Sequence, residues 1–185
     1  MSSITIDDNL VECARALLED KDVKRAATSA LGRALTASRA AVAKRVRREY
    51  TVKSADIKTG IHVKRAKVTV DGVFGAVIGE GDRLRLDKFK VFRNAKSPMA
   101  VKVMKRKKAS KIRGLFFANT SKGKEAPFLR STAKRKPINI LYGPSLPEMM
   151  GNKDVVEFMS AVAQDTLNRR FEHEMNYRLT KKGCR

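Results

Sequence analysis

Reactive chemistry is what this sequence has least of. Cys13 and Cys184 are the two cysteines in 185 residues, and they stand near opposite ends without framework spacing. That excludes a disulfide-stapled scaffold and predicts plain thiols in a reducing compartment. There are two histidines, His62 and His173. His173 lies in Phe171-Glu172-His173-Glu174-Met175 with no second histidine four residues on, so the pattern is not a zinc-protease helix. The acid pairs Glu80/Asp82 and Glu172/Glu174 are spaced i, i+2, and on a helix such residues do not face each other. Gly72-x-x-Gly75 and Gly79-x-Gly81 lack the Lys-Ser/Thr of a phosphate loop and read as turn glycines. No Ser/His/Asp arrangement is visible, so the chain is expected to have no catalytic residues, no cofactor and no metal. No apolar run reaches the ~18 residues of a membrane span. MSSITIDDNL lacks the basic-then-apolar pattern of a signal peptide. A soluble protein made in the cytoplasm, without a membrane partner, is expected.

Negative charge is also scarce. Lys and Arg number 41 against 19 Asp and Glu, a net +22. The excess is uneven: Lys88 to Lys136 holds 17 basic residues and one acid, Glu125, and so carries +16 of it. Such a tract implies contact with a polyanion, either nucleic acid or an acidic protein surface. Its phenylalanines, Phe89, Phe92, Phe116, Phe117 and Phe128, are able in principle to stack on bases. They sit in strand-like runs, however, and their expected place is the core. No recognition helix, zinc finger or RNA-binding pattern is present, so any DNA contact should be to the backbone and salt-sensitive.

The length suits a single domain over residues 1–185, with enough chain to bury a core without disulfides or metal. The expected fold class is α+β: N-terminal helices, an antiparallel sheet of about five or six strands, and a long C-terminal helix packed on the sheet. Residues 1–7 read as an arm, 8–49 as helical, 61–142 as β-rich and 152–180 as the C-terminal helix. In the helical part, Asp8 or Asn9 caps a short helix to about Leu18. A long helix then runs from about Asp22 to Glu49 on a stripe of Val23, Ala27, Leu31, Ala34, Ser38, Val42 and Val46. Ser54 is expected to cap one turn that Gly60 closes.

From Ile61 the period becomes two, with Asp71-Gly72 as a hairpin turn. A strand over Leu84 to Phe92 is interrupted by Asp87 and Lys88. Another covers Ala100 to Met104, followed by Lys105-Arg106-Lys107-Lys108, which reads either as edge protection or as a projecting basic loop. The last helix, about Lys153 to Leu179 with Asn152 as cap, carries Val155, Met159, Val162, Leu167, Phe171, Met175 and Leu179. At 1.5 Å per residue it spans about 40 Å, so an overhanging apolar stripe would need a partner subunit.

The densest stretch is Gly114 to Gly151. Leu115-Phe116-Phe117-Ala118 and Ala126-Pro127-Phe128-Leu129 flank a polar, Gly-containing tip and read as a hairpin. Pro127 makes the second strand an edge strand or marks its start. After a basic tract come Pro137 to Tyr142, extended and apolar, and then Gly143-Pro144-Ser145-Leu146-Pro147-Glu148. Each proline fixes its own φ and pushes the residue before it toward extended geometry. Ser145 to Glu148 fits a Ser-x-x-Glu capping box with Pro147 in the first turn. Read from its residues alone, this is a rigid strand-to-helix junction.

The order FFANTSKGKEAPFLR, then KPINILYGPSLPEMMG, then a long amphipathic helix resembles the minor tail protein Z, or tail completion, family of tailed phages and prophages. The residues that carry the resemblance are Pro137, Ile138, Leu141, Gly143, Pro144, Ser145, Pro147 and Met149. More weakly it extends upstream through an Ala/Arg-rich helix and REYTVKSADIKTGI, covering about residues 22 to 180. The resemblance implies a virion structural protein, not an enzyme, at the head-proximal end of the tail, acting in tail completion, head–tail joining and genome passage. It implies a homo-oligomeric ring, sixfold in that setting, beside tail terminator, tail tube or connector proteins. Lys102, Lys105, Arg106, Lys107, Lys108, Lys111, Arg113, Lys122 and Lys124 are the candidate contacts to genomic DNA or an acidic partner. The alternative is a basic nucleic-acid-binding accessory protein, which accounts for the charge but not for the junction.

Overall fold

The computed structural model describes residues 21–69, 72–93, 99–120, 123, 125–130 and 132–181. The arm and the short helix expected before Lys21 lie outside these residues. The helices are α1 (Lys21–Glu49), α2 (Ser54–Lys58), α3 (Leu146–Met150) and α4 (Lys153–Lys181). The strands are β1 (Ile61–Thr69), β2 (Gly72–Gly79), β3 (Arg83–Arg85), β4 (Lys90–Phe92), β5 (Ala100–Lys102), β6 (Ser110–Lys111), β7 (Leu115–Asn119), β8 (Glu125–Arg130), β9 (Ile138–Ile140) and β10 (Tyr142–Ser145). The fold class is α+β. Instead of one sheet of five or six strands, the described residues form four small antiparallel sheets, β1-β2, β10-β3, β4-β5-β6 and β7-β8-β9. The chain, read from its sequence as one domain, groups into two compact units, one from 1–42, 61–79 and 151–185 and the other from 43–60 and 80–150.

The first unit holds most of α1, the β1–β2 hairpin and α4. Alanine, lysine and arginine give α1 its propensity, and Asp22 complements the dipole in its first turn. Thr28, Thr36 and Ser38 donate their hydroxyls to carbonyls four residues back, so Ser38 is buried without an orphaned group. The buried line in this unit is Val23, Ala26, Ala30, Ala34, Leu35, Ser38, Ala41 and Val42. Ala26 and Ala30 are fully buried where Ala27 and Leu31 were expected, and those two are only half-buried. The other five residues of the predicted stripe, Val23, Ala34, Ser38, Val42 and Val46, are buried as expected.

In the hairpin, β1 and β2 pair from Ile61↔Gly79 to Thr69↔Gly72, with a bulge between Lys64 and Lys67. Residues 70 and 71 of the expected turn are outside the described residues, and Gly72 has φ +146°, which suits glycine. Gly75 faces α1, and a Cβ there would overlap Leu35 Cδ1.

The start of α4 is as expected, because Asn152 Oδ1 accepts from Asp154 N–H at 3.1 Å. Its buried residues, Val155, Met159, Ala163 and Thr166, all lie in the first half. Val155 and Met159 are buried as expected, whereas Val162, Leu167, Phe171 and Met175 of the predicted stripe are half-buried. Glu174, in the second half, accepts from Ser29 Oγ (2.8 Å) and from Arg178 (2.5 Å), with Arg33 Nε 3.9 Å away, and so links α4 to α1.

The second unit buries Tyr50, Val52, Ile57, Leu86, Phe89, Val101, Leu115, Ala126, Leu146 and Met149. The N-cap of α2 is Lys53 and makes no side-chain bond; Ser54, expected as the cap, is the first helical residue. Gly60 is not in a left-handed conformation. It is glycine because a Cβ would lie 2.5 Å from the Glu80 carbonyl oxygen and 2.6 Å from Leu146 Cδ2. The strand expected over Leu84 to Phe92 is split by a 3-10 turn at Leu86–Lys88. Arg85 donates to Asp87 and Lys88 to Asp56, both at 2.8 Å, and these ion pairs hold the turn.

Candidate functional site

The junction is assembled from the second unit alone. Leu141 N–H donates to the Pro127 carbonyl (3.0 Å), and the Leu141 carbonyl accepts from Leu86 N–H (3.1 Å). One extended residue therefore joins the β7-β8-β9 sheet to the start of the 3-10 turn. Pro127 lies within β8, the middle strand, where an edge or a strand start was expected. It fits because the ladder with β9 runs only from Phe128 to Arg130, so no N–H is needed at 127 on that side.

Past Leu141, β10 pairs with β3 through Tyr142↔Arg85 and Ser145↔Arg83. Gly143 packs against the buried Phe89 ring, and a Cβ there would be 2.6 Å from Cε2. The capping box is reciprocal: Ser145 N–H donates to Glu148 Oε2 (2.8 Å), and Glu148 N–H donates to Ser145 Oγ (3.3 Å). Leu146 and Met149 bury the inner side of the short α3. Pro144 is half-buried, and Pro137, Ile138 and Pro147 face outward. Of the eight junction residues, Leu141, Gly143, Ser145 and Met149 hold the turn, and Pro137, Ile138 and Pro147 present surface.

The basic candidates divide into two groups. Lys102 is half-buried in β5, and its carbonyl accepts from the Thr51 hydroxyl. Lys105 N–H donates to the Glu49 carbonyl and Lys105 Nζ to the Arg47 carbonyl, both at 2.7 Å. Arg106 Nε is 3.1 Å from Glu49 Oε2, and Arg45 Nη2 is 3.2 Å from Oε1 of the same carboxylate, whose side chain is 2 % exposed. Lys105 and Arg106 thus close the C-terminal end of α1, where free carbonyls and the dipole favour cations. Neither edge protection nor a free loop describes them. Lys107, Lys108, Lys111 and Arg113 are exposed, and no ion pair to them occurs among the described residues. Lys122 and Lys124 lie outside the described residues.

The remaining acids of this unit are largely matched. Asp56 pairs with Lys88, Asp87 with Arg85, Glu148 with Arg83, and Glu125 with Arg93. Arg93 grips Glu125 with two bonds, 3.0 and 2.9 Å. Those bonds hold the Glu125 carboxyl below the usual carboxylate range and raise the guanidinium. The unmatched charge is left on exposed lysines and arginines, including Arg130, Lys134, Arg135 and Lys136. These four were missing from the candidate contacts although they belong to the same tract, and counting charge to its end would have included them.

The aromatics also differ from expectation. Phe89 is buried, but Phe116, Phe117 and Phe128 are half-buried and Phe92 is 42 % exposed. Phe116 and Phe128 stack with centroids 5.9 Å apart. Arg93 lies 4.0 Å over Phe117, Arg130 5.2 Å over Phe116 and Lys90 5.1 Å over Phe92. Period-two alternation identified these side chains as apolar but did not say which sheet faces would be covered.

Among the described residues, no group of three or more His, Cys, Asp or Glu is placed to hold a metal, and no helix is long and apolar enough to cross a membrane. His62 and His173 are exposed on β1 and α4. What the arrangement offers chemically is surface: fixed cations and cation-covered rings beside a rigid turn. No protein-family model, curated protein or solved structure matches the chain.

Proposed function

We propose that this protein is a structural component of a phage virion, a tail-completion protein at the head-proximal end of the tail, assembled in the host cytoplasm. Six copies form a ring beside terminator, tail tube or connector subunits and take part in head–tail joining and genome passage. The observation that carries this reading is the junction. Of the eight residues that carry the resemblance, Leu141, Gly143, Ser145 and Met149 hold β10 and α3 through backbone bonds, a tight Gly–Phe contact and a reciprocal cap. A protein that works by presenting surfaces needs such a fixed turn more than a cleft. Its exposed cations, Lys107, Lys108, Lys111 and Arg113, meet an acidic neighbour or the phosphates of the genome end.

The half-buried rings under Arg93 and Arg130 and the exposed ring under Lys90 favour a second reading, a basic nucleic-acid-binding protein. One experiment separates the two. Imaging of intact particles is expected to find a ring of this chain at the head–tail junction. Replacing Lys107, Lys108, Lys111 and Arg113 by glutamine is expected to impair joining or DNA delivery. Absence from the particle, with salt-dependent nucleic-acid binding by the purified protein, would reject the first reading in favour of the second.

A further inference from the structure

We infer that the outer edge of β2 is a self-association surface, and that two copies of the free protein join there by antiparallel pairing of Gly72–Gly79. This rests on the hairpin and not on the proposed place in a virion. Among the described residues β1 and β2 are the longest strands, yet they form a sheet of two, with no third strand. A free strand edge presents unpaired N–H and C=O groups that template another strand, and proteins usually guard it with charge or proline. β1 is guarded by Lys64, Arg65 and Lys67. β2 reads Gly-Val-Phe-Gly-Ala-Val-Ile-Gly, with neither charge nor proline.

The two faces of the hairpin are also distinct. Paired residues share a face, so Val73 and Val77 lie with Val68 and Val63 on the side of Gly75, against Leu35. Phe74, Ala76 and Ile78 lie on the other face, opposite Lys67, Lys64 and His62. The bulge keeps Lys64 and Lys67 together on that face despite their odd spacing. Phe74 is 57 % exposed there.

Charge selects the occupant. An acidic partner strand would gain by lying beside β1, whose lysines would meet it. The β2 edge neither rewards nor penalises charge, and it suits a strand that is itself uncharged and apolar. For two chains of +22 each it is a line of approach that brings no cations together. In the resulting sheet, β1-β2-β2-β1, the two guarded strands stand about 14 Å apart at three strand spacings. That exceeds the screening length of about 8 Å at physiological salt. A two-fold axis at Ala76 keeps like faces together and sets Phe74 opposite Ile78 of the second copy, an aromatic–β-branched pair.

Sedimentation of the full chain over a concentration series tests this. The wild type is expected to form a dimer that tightens as salt rises, because salt screens the repulsion of two basic chains and no ion pair is lost. Ala76→Lys puts two lysines face to face and is expected to raise the dissociation constant about 2- to 5-fold. Its far-UV circular dichroism should be unchanged, since Ala76 is exposed. In a Cys13→Ser, Cys184→Ser background, Ala76→Cys should cross-link the copies on oxidation. Amides of Phe74 to Ile78 should exchange slowly in the dimer and fast in Ala76→Lys. A chain monomeric at every concentration overturns the proposal. So does a dimer that tolerates Ala76→Lys, or a monomer whose β2 amides are already protected, which would mean the chain covers its own edge.

Discussion

Two hairpins of this chain start alike and end differently. β1–β2 and β7–β8 are both antiparallel pairs, and glycines with positive φ, Gly72 and Gly123, stand in or beside their turns. β8 takes a third strand, β9, and continues through Leu141 into a capped helix. β2 takes none. Leu115, Ala126 and Pro127 are buried in the first case, whereas Phe74, Gly75 and Ala76 are exposed in the second. What a hairpin becomes depends on whether later chain returns to its edge. An edge that is covered serves rigidity, and an edge left bare can template another strand.

Substitutions can break or sharpen this contrast. The largest effect on stability is expected at the junction. Met149 is fully buried, so Met149→Ala should lower unfolding stability by about 2–5 kcal/mol in denaturant melts. Next is Glu174, whose carboxyl is held below the usual range chiefly by Arg178 and then by Ser29. A depressed carboxyl stabilises the fold above its unfolded pKa of ~4.3. That contribution is lost as pH falls through the lower folded value. Glu174→Gln should therefore cost about 1–2 kcal/mol at neutral pH and flatten the acid limb of the stability curve. An unchanged acid limb would remove Glu174 from the account.

Ser145→Ala removes one half of the capping box and should cost about 1 kcal/mol, read from the same melts. The smallest effect belongs to the open hairpin. At concentrations where the chain is monomeric, Phe74→Ala should change stability by no more than about 0.5 kcal/mol, because the ring is mostly in water. A loss as large as that of Met149→Ala would mean the hairpin is not open, and the contrast would fail.

Much of the local structure was legible. The span of α1, both hairpins, the Asn152 cap and the Ser145–Glu148 box all follow from residues a few positions apart. The junction was legible for the same reason. Most of the α1 stripe and the start of the α4 stripe are buried as expected, while Ala26, Ala30, Ala163 and Thr166 are buried beside them, because helical period defines a candidate face and the neighbouring element chooses which residues it approaches. The basic tract was visible as charge. Its division into structural and exposed cations was not: Glu49 lies 57 positions from the Arg106 that meets it.

By itself, then, the sequence determined the elements, their caps and turns, the strong positive charge and the stiffness of the Gly143–Pro147 turn. Each of these is a short-range matter of propensity, dihedral restriction or hydrogen bonding between near neighbours. Only the tertiary structure decided that Gly60, Gly75 and Gly143 are glycines for close approach, that Lys105 and Arg106 close a helix, and that among the described residues no strand pairs with the outer edge of β2. Those facts depend on what the chain brings back from far away, as with the 145 positions between Ser29 and Glu174. Neither local periodicity nor composition carries that information.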